Sequence, residues 1–389
     1  MDYQVTIFQK PSTELSKLRA NKDVRKVDLF LHSLDELFEV EHPWLKSGDP
    51  VYEPTKQHYL ADWKDRGPLD EQGVWAYYPW NNTLIHLPDK ATFWRLRTCR
   101  NRNLVFEKEQ EILLTKRIGV AGMSVGSNIL SMLAMSGVGM GYKIADFDTI
   151  SIPNLNRLSA PLWAVDMHKG LYFAQRTLEL DPFLEVELFD QGLTDKTMQR
   201  FFLEPKLDLF IEEVDNAVVK LQSRLFAREH RIPLIMATDN GDGIFVDVER
   251  YDLEPDLMPF HGRASQKLLD SIRENMSFAE RMALISDIAG LNEAAPRMQD
   301  SIQEVGTFLN TWPQLGIAAV TAGTATTFVA KRILLGKHMP TGRYYLAQED
   351  AFVPDYTSQR EVERRANHTT KTMRGFRQFQ QYLKDLGDL

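Results

Sequence analysis

From Asn103 onward, short apolar runs alternate with stretches of helical spacing. Leu104–Leu114 reads as a helix, and Arg117–Ala121 (RIGVA) as a strand that runs into the sequence AGMSVGS. Asn128–Met135 has helical periodicity, and Gly137, Gly139 and Gly141 stop it. Tyr142–Ala145 is a second strand, ending at Asp146. A helix from about Asp166 to Leu180 stops at Asp181-Pro182. Leu184–Phe189, Leu207–Ile211 (LDLFI) and Ile232–Ala237 (IPLIMA) are further strands, with a helix over Ala217–His230 before the last. Strands alternating with helices of this length predict a parallel sheet covered on both faces. Ile244–Val248 follows too closely for a crossover, so a sixth strand is expected to be antiparallel.

The flanks read differently. Residues 1–98 are rich in Trp, Tyr, Pro and His, with helical periodicity only in pieces such as Val27–Phe38. They are expected to form an accessory unit that clamps a substrate peptide or only packs. Residues 252–310 are polar and partly helical, an excursion from the sheet. Leu315–Ala330 falls short of the roughly 20 apolar residues that span a bilayer. Its Gly, Ala and Thr predict a closely packed helix within 311–336. Residues 341–389 read as a charged tail ending in an amphipathic helix, Arg374–Leu386. The expected organisation is 1–98, 99–340 and 341–389. The expected fold class is α/β, a doubly wound Rossmann-like, mostly parallel sheet with an N-terminal appended domain.

The 389 residues carry 46 Lys and Arg against 54 Asp and Glu, a formal charge of −8. An acidic balance gives no support to binding of nucleic acid or anionic membrane. A single cysteine, Cys99, excludes an internal disulfide and any Cys₄ or Cys₂His₂ zinc site within one chain. The opening residues lack an apolar h-region, so a cytoplasmic location is expected.

The first strand–turn–helix is the natural phosphate site, because helix N-termini present unpaired N–H groups. Its loop, Ala121-Gly122-Met123-Ser124-Val125-Gly126, is a G-x-G-x-x-G with Ala at the first glycine and Met at the second. Asp146, twenty residues after Gly126, stands where a doubly wound site places the acid that binds ribose. That much suits NAD, FAD or ATP. Arg157, in the Pro153-Asn154-Leu155-Asn156-Arg157 loop at the same sheet edge, favours an enzyme that must hold charge on departing phosphates. Lys169 starts the next helix, as a phosphate ligand or a surface lysine. Asp215 ends the fourth strand, as a helix cap or a Mg²⁺ ligand. The adjacent Glu212 and Glu213 would be costly without a cation.

Together AGMSVGS, DFD-x5-NLNR, HK and VDN resemble the ThiF/MoeB-type adenylyltransferases, relatives of ubiquitin-activating enzymes. The likeness covers roughly residues 100–250 and the helix at 311–336. It implies an ATP-binding enzyme that activates a carboxylate as acyl-AMP and releases pyrophosphate. Gly122, Ser124, Gly126, Asp146, Asp148, Asn154, Arg157 and Lys169 would bind the nucleotide, Asp146 at the ribose. Asp215 would position Mg²⁺. Arg102, or second Arg100, would reach the ATP of the other subunit in a homodimer. The family's zinc-binding CxxC pairs and the thiol some members carry are absent, so no zinc and no enzyme thioester are expected. The carboxylate is then expected on a ribosomal peptide undergoing natural-product maturation or on a small metabolite, and otherwise on a ubiquitin-like or sulfur-carrier protein. His261 and Arg263 in PFHGR could face the substrate or belong to a loop. Rival readings are a dinucleotide-dependent oxidoreductase and an inactive scaffold subunit.

Overall fold

The computed structural model describes residues 3–273, 276, 284, 288–302, 304–305 and 308–387. The chain divides into two compact units: Met1–Glu111 with Ala174–Glu185, and Ile112–Phe173 with Val186–Leu389.

The first unit holds a four-stranded sheet in the order β1 (Thr6–Phe8), β3 (Val74–Tyr78), β4 (Thr83–Leu87), β2 (Arg25–Asp28). Helices α1 (Thr13–Ala20), α2 (Phe30–Glu41), α3 (Tyr52–Asp65) and α4 (Lys90–Arg97) accompany it. The helix expected over Val27–Phe38 starts later. Val27 instead pairs with Ile85 in a strand, and the Asp28 carboxylate then accepts the Phe30 N–H at 3.0 Å as the chain turns into α2. Trp75, Tyr78 and Trp94 are buried here. The His86 ring stacks between Trp75 and Phe30, at centroid distances of 4.4 and 4.8 Å. Several of the aromatics that distinguish residues 1–98 therefore serve this unit's own core.

The second unit is built on a seven-stranded sheet, in the order β11-β10-β9-β8-β5-β6-β7. The strands are β5 (Arg117–Ala121), β6 (Gly141–Ala145), β7 (Glu185–Phe189), β8 (Leu209–Glu212), β9 (Leu234–Asn240), β10 (Gly243–Glu249) and β11 (Gly342–Leu346). β5 runs parallel to β6 and β8, and β8 parallel to β9; β10 and β11 are antiparallel additions. This is the doubly wound α/β arrangement, with the antiparallel sixth strand as expected. β11 was not legible, because it lies inside a charged stretch. The chain leaves β5 towards β6 and returns through β8 on the other side. The order therefore reverses between β5 and β8, where open α/β sheets bind ligands.

Helix α5 (Glu107–Leu113) begins later than expected, since Asn103 takes a positive φ of 69° and Arg102 bridges Val105. Helices α6 (Val125–Ser136), α7 (Lys169–Leu180), α8 (Met198–Leu203) and α9 (Ala217–Glu229) follow the strands. The helix Gly316–Leu334 packs against α6 and β9 with Ala318, Ala319 and Ala322 buried. A Cβ at Gly323 would come within 2.9 Å of the Asn128 carbonyl oxygen, so only glycine permits this approach. No helix among the described residues is long and apolar enough to cross a membrane. The last helix runs over Gln359–Gly387, well before the Arg374 start that periodicity suggested, helped by the Glu361–Arg364 pair in its first turn. The excursion at 252–310 lies partly outside the described residues; those described include helices Gln266–Asp270 and Pro296–Ile302.

A buried ion network ties β8, α9 and β10 together. Glu212 accepts from Lys220 at 2.9 Å and from the Arg224 guanidinium, whose Nε donates to Glu249 at 2.8 Å. Glu249 also accepts from the Tyr251 hydroxyl and the Phe260 N–H. Burial opposes the Glu212 charge, yet Lys220 and Arg224 outweigh it and hold the carboxyl below its ordinary range. The cation that Glu212 was expected to require is thus supplied by α9. Arg224→Met should destabilise the protein by roughly 3–5 kcal/mol, because two carboxylates would be left underpaired without water. Urea unfolding measures this, and a loss below about 1 kcal/mol would show that the network is not closed.

Candidate active site

The turn after β5 and the turn after β8 meet at the reversal point. Gly122 has φ +88°, and a Cβ there would lie 2.3 Å from the Glu213 carbonyl oxygen, so this position requires glycine. A Cβ at Gly126 would lie 3.1 Å from Val120 Cγ1, so a side chain there would be tight. The two substituted glycines are accommodated. Ala121 is the buried last residue of β5, and the Met123 side chain is buried, with its N–H donating to Asp146 Oδ2 at 2.6 Å.

Asp146 follows β6 and is 8% exposed. Its other oxygen accepts the Asp148 N–H at 2.8 Å. Burial raises its pKa, while the two backbone N–H groups oppose the rise. Beyond it the chain doubles back. Ile150 donates to Met167, Asp166 to Ile150, and Thr149 bridges His168. That return delivers Lys169 to Asp148, with Nζ 3.0 Å from Oδ2. Asn154 braces the same loop by accepting the Ser151 N–H at 3.1 Å.

Arg157 reaches back to the first turn, where its Nε donates to Ser124 Oγ at 3.0 Å. Burial lowers its pKa, countered by Asp239 and Asp215. Asn216 caps α9, accepting from Val218 and Val219, so the Asp215 carboxylate is not the helix cap.

Ser124, Val125, Arg157 and Asp215 line a cavity of about 440 Å³, together with Glu213, Lys220, Asp239, Asn240 and Gln314. Apolar side chains, including Phe245, Leu284, Ile288, Leu291, Met298 and Trp312, complete it. Of the expected set, the cavity thus brings together Ser124, Arg157 and Asp215. Asp146, Asp148 and Lys169 form a linked cluster at the adjoining strand end, and Gly122, Gly126 and Asn154 shape the turns. Arg100 and Arg102 are exposed in the first unit. The PFHGR segment is braced elsewhere: His261 Nε2 lies 3.3 Å from Asp247, and Arg263 pairs with Glu293 at 2.9 Å.

Sequence reasoning missed Asp239, Lys220 and Gln314. The expected fifth strand ended at Ala237, whereas β9 continues to Asn240 and carries Asp239 to the sheet edge. Burial pushes the Asp239 pKa up to about 6, against the Gln314 hydrogen bond and Arg157. The folded state then holds this proton more tightly than the unfolded chain does. Stability is therefore present in full below the ordinary carboxylate pKa and is lost as pH rises towards 6. Thermal melts from about pH 4 to pH 7 should show wild type losing on the order of 2 kcal/mol relative to Asp239→Asn. Parallel curves would contradict this assignment.

The ThiF family profile matches residues 98–348. A Mycobacterium tuberculosis (strain CDC 1551 / Oshkosh) protein, uncharacterized protein MT1398, is 35% identical over 276 residues, covering 71% of this chain and 38% of that protein. The chain thus spans well under half the length of this relative. Among solved structures, E. coli TcdA, a tRNA N6-threonylcarbamoyladenosine dehydratase, is 17% identical with a TM-score of 0.45, over 63% of this chain and 96% of that one. PaaA is 19% identical with a TM-score of 0.45, over 67% and 77%. E. coli MccB is 13% identical with a TM-score of 0.44, over 62% and 61%. With about two thirds of its length matched by the family profile, the chain belongs to the ThiF family.

Proposed function

We propose that the protein is an ATP-dependent adenylyltransferase that activates a carboxylate as its acyl-AMP and releases pyrophosphate. The observation that carries this is one cavity, at the reversal point of the sheet, lined by Ser124, Arg157 and Asp215. Asp146 would accept the ribose hydroxyls through lone pairs not used by Met123 and Asp148. Arg157 and Lys169 would offset charge on the phosphates as the substrate carboxylate attacks the α-phosphorus and the bond to pyrophosphate breaks. The described residues include no cluster of three or more metal-ligating side chains. One carboxylate is enough for Mg²⁺, which usually completes its shell with phosphate oxygens and water. Asp215 would hold it, and the ion would neutralise phosphate charge.

The carboxylate belongs, in this reading, to a ribosomal peptide or a small metabolite, and the activated acyl group passes to an external nucleophile. A homodimer would supply Arg102 to the partner's nucleotide. Exposed Ile317, Val320 and Phe328 on the helix Gly316–Leu334 support a second copy docking there. A cytoplasmic location belongs to the same reading and is supported by the single cysteine.

Mass spectrometry of candidate peptides and carboxylates incubated with the protein and Mg·ATP should reveal an AMP adduct or loss of water. Arg157→Ala and Asp215→Ala should each lower pyrophosphate release by on the order of 10²-fold with little change in melting temperature. Full activity in either variant contradicts its role. Cys99→Ser should retain activity; a folded but inactive Cys99→Ser would restore the thioester route. Arg102→Ala mixed with Asp146→Ala should regain partial activity if sites are shared between subunits, and two inert proteins that stay inert when mixed would place Arg102 outside the site.

A further inference from the structure

In the cavity, Asp239 forms no ion pair among the described residues, and the Arg157 charge reaches it only from farther off. Asp239 Oδ2 accepts from Gln314 at 3.2 Å, while Oδ1 is buried without a hydrogen-bond partner among the described residues. The neighbouring charges are otherwise engaged. Lys220, on α9, is paired with Glu212. Glu213, at the end of β8, accepts the Ala237 N–H at 2.7 Å, and burial favours its neutral form. Asp215, also at the end of β8, and Arg157, from the loop after β6, belong to the cation and the phosphates in the reading above. Arg157 is the cation whose field reaches Asp239, and bound phosphates would compete for it. A carboxylate shielded from water without a paired cation is unfavourable, so a ligand that brings a positive charge is favoured there. The wall also presents the apolar side chains of Leu284, Ile288, Leu291, Met298 and Trp312.

The geometry points to a substrate subsite in which Asp239 receives a positively charged nitrogen and the apolar wall receives the hydrocarbon beside it. The inference rests on this cavity being the reaction site. The ammonium group belongs either to the molecule whose carboxylate is activated or to the amine that captures the acyl group. Both present the same chemistry to Asp239, and both require its ionised form.

Calorimetry with n-hexylammonium, 1-hexanol and 6-aminohexanoate tests the subsite on the full chain. Hexylammonium should bind, and hexanol, equal in hydrocarbon but uncharged, should bind at least about tenfold more weakly. Asp239→Asn should remove that preference. In wild type the hexylammonium affinity should fall as pH drops from about 7.5 to about 5, because the probe stays charged there while Asp239 takes up a proton. This pH series decides the matter even if Asp239→Asn does not fold. Tighter binding of 6-aminohexanoate than of hexylammonium assigns the ammonium to the carboxylate substrate, and the reverse assigns it to the nucleophile. Hexanol binding as tightly as hexylammonium, or an affinity indifferent to pH, overturns the subsite. Mg·ATP titrated separately into wild type reports on the adenylation reading, so that failure of the one is distinguished from failure of the other.

Discussion

The Asp146 carboxylate holds together the turns at the ends of β5 and β6. One oxygen takes the Met123 N–H from the turn after β5, and the other takes the Asp148 N–H from the turn after β6. Charge-assisted bonds of this kind are shorter and stronger than neutral ones. They fix where Ser124 begins α6, and Ser124 in turn receives Arg157. They also fix Asp148, which receives Lys169. Residues far apart in sequence are therefore placed by one buried acid.

Two treatments of buried charge stand side by side at the ends of β8 and β9. Glu212 is enclosed by Lys220 and Arg224, and its charge is fully answered within the protein. Asp239, at the end of the next strand and lining the cavity, has a neutral donor and a distant guanidinium. The first arrangement locks the sheet to α9 and so sets the turn that presents Asp215, since Glu212 also accepts the Val214 N–H at 2.8 Å. The second keeps a group poised near neutrality, which is how carboxyls at reactive sites are commonly found.

Most of the central sheet could be read from the chain, because each strand is a short apolar run bounded by Gly, Asp or Pro and each helix repeats at its own period. Arg117–Ala121 matches the observed strand, and the small-residue helix is where Gly323 and its alanines said a close contact should be. The loop from Asp146 to Lys169 was legible as a set of residue types, but its hairpin depends on backbone bonds that leave no side-chain signature. β11 was hidden because Arg343 and two tyrosines share a strand flanked by charge. Asp239 was hidden because the apolar run stops at Ala237 while the hydrogen-bond ladder with β10 continues to Asn240. The role of Glu212 was hidden because its charged partners, Lys220 and Arg224, lie on the next helix.

The account stands or falls on what the crevice between the β5 and β8 turns holds. A crystal structure of the protein with ATP and magnesium tests this most directly. The ribose hydroxyls should lie against Asp146, the phosphates beside Ser124 and Arg157, and the metal on Asp215. Density showing the crevice closed by its own side chains, or ATP bound elsewhere with Arg157 and Asp215 untouched, would contradict it.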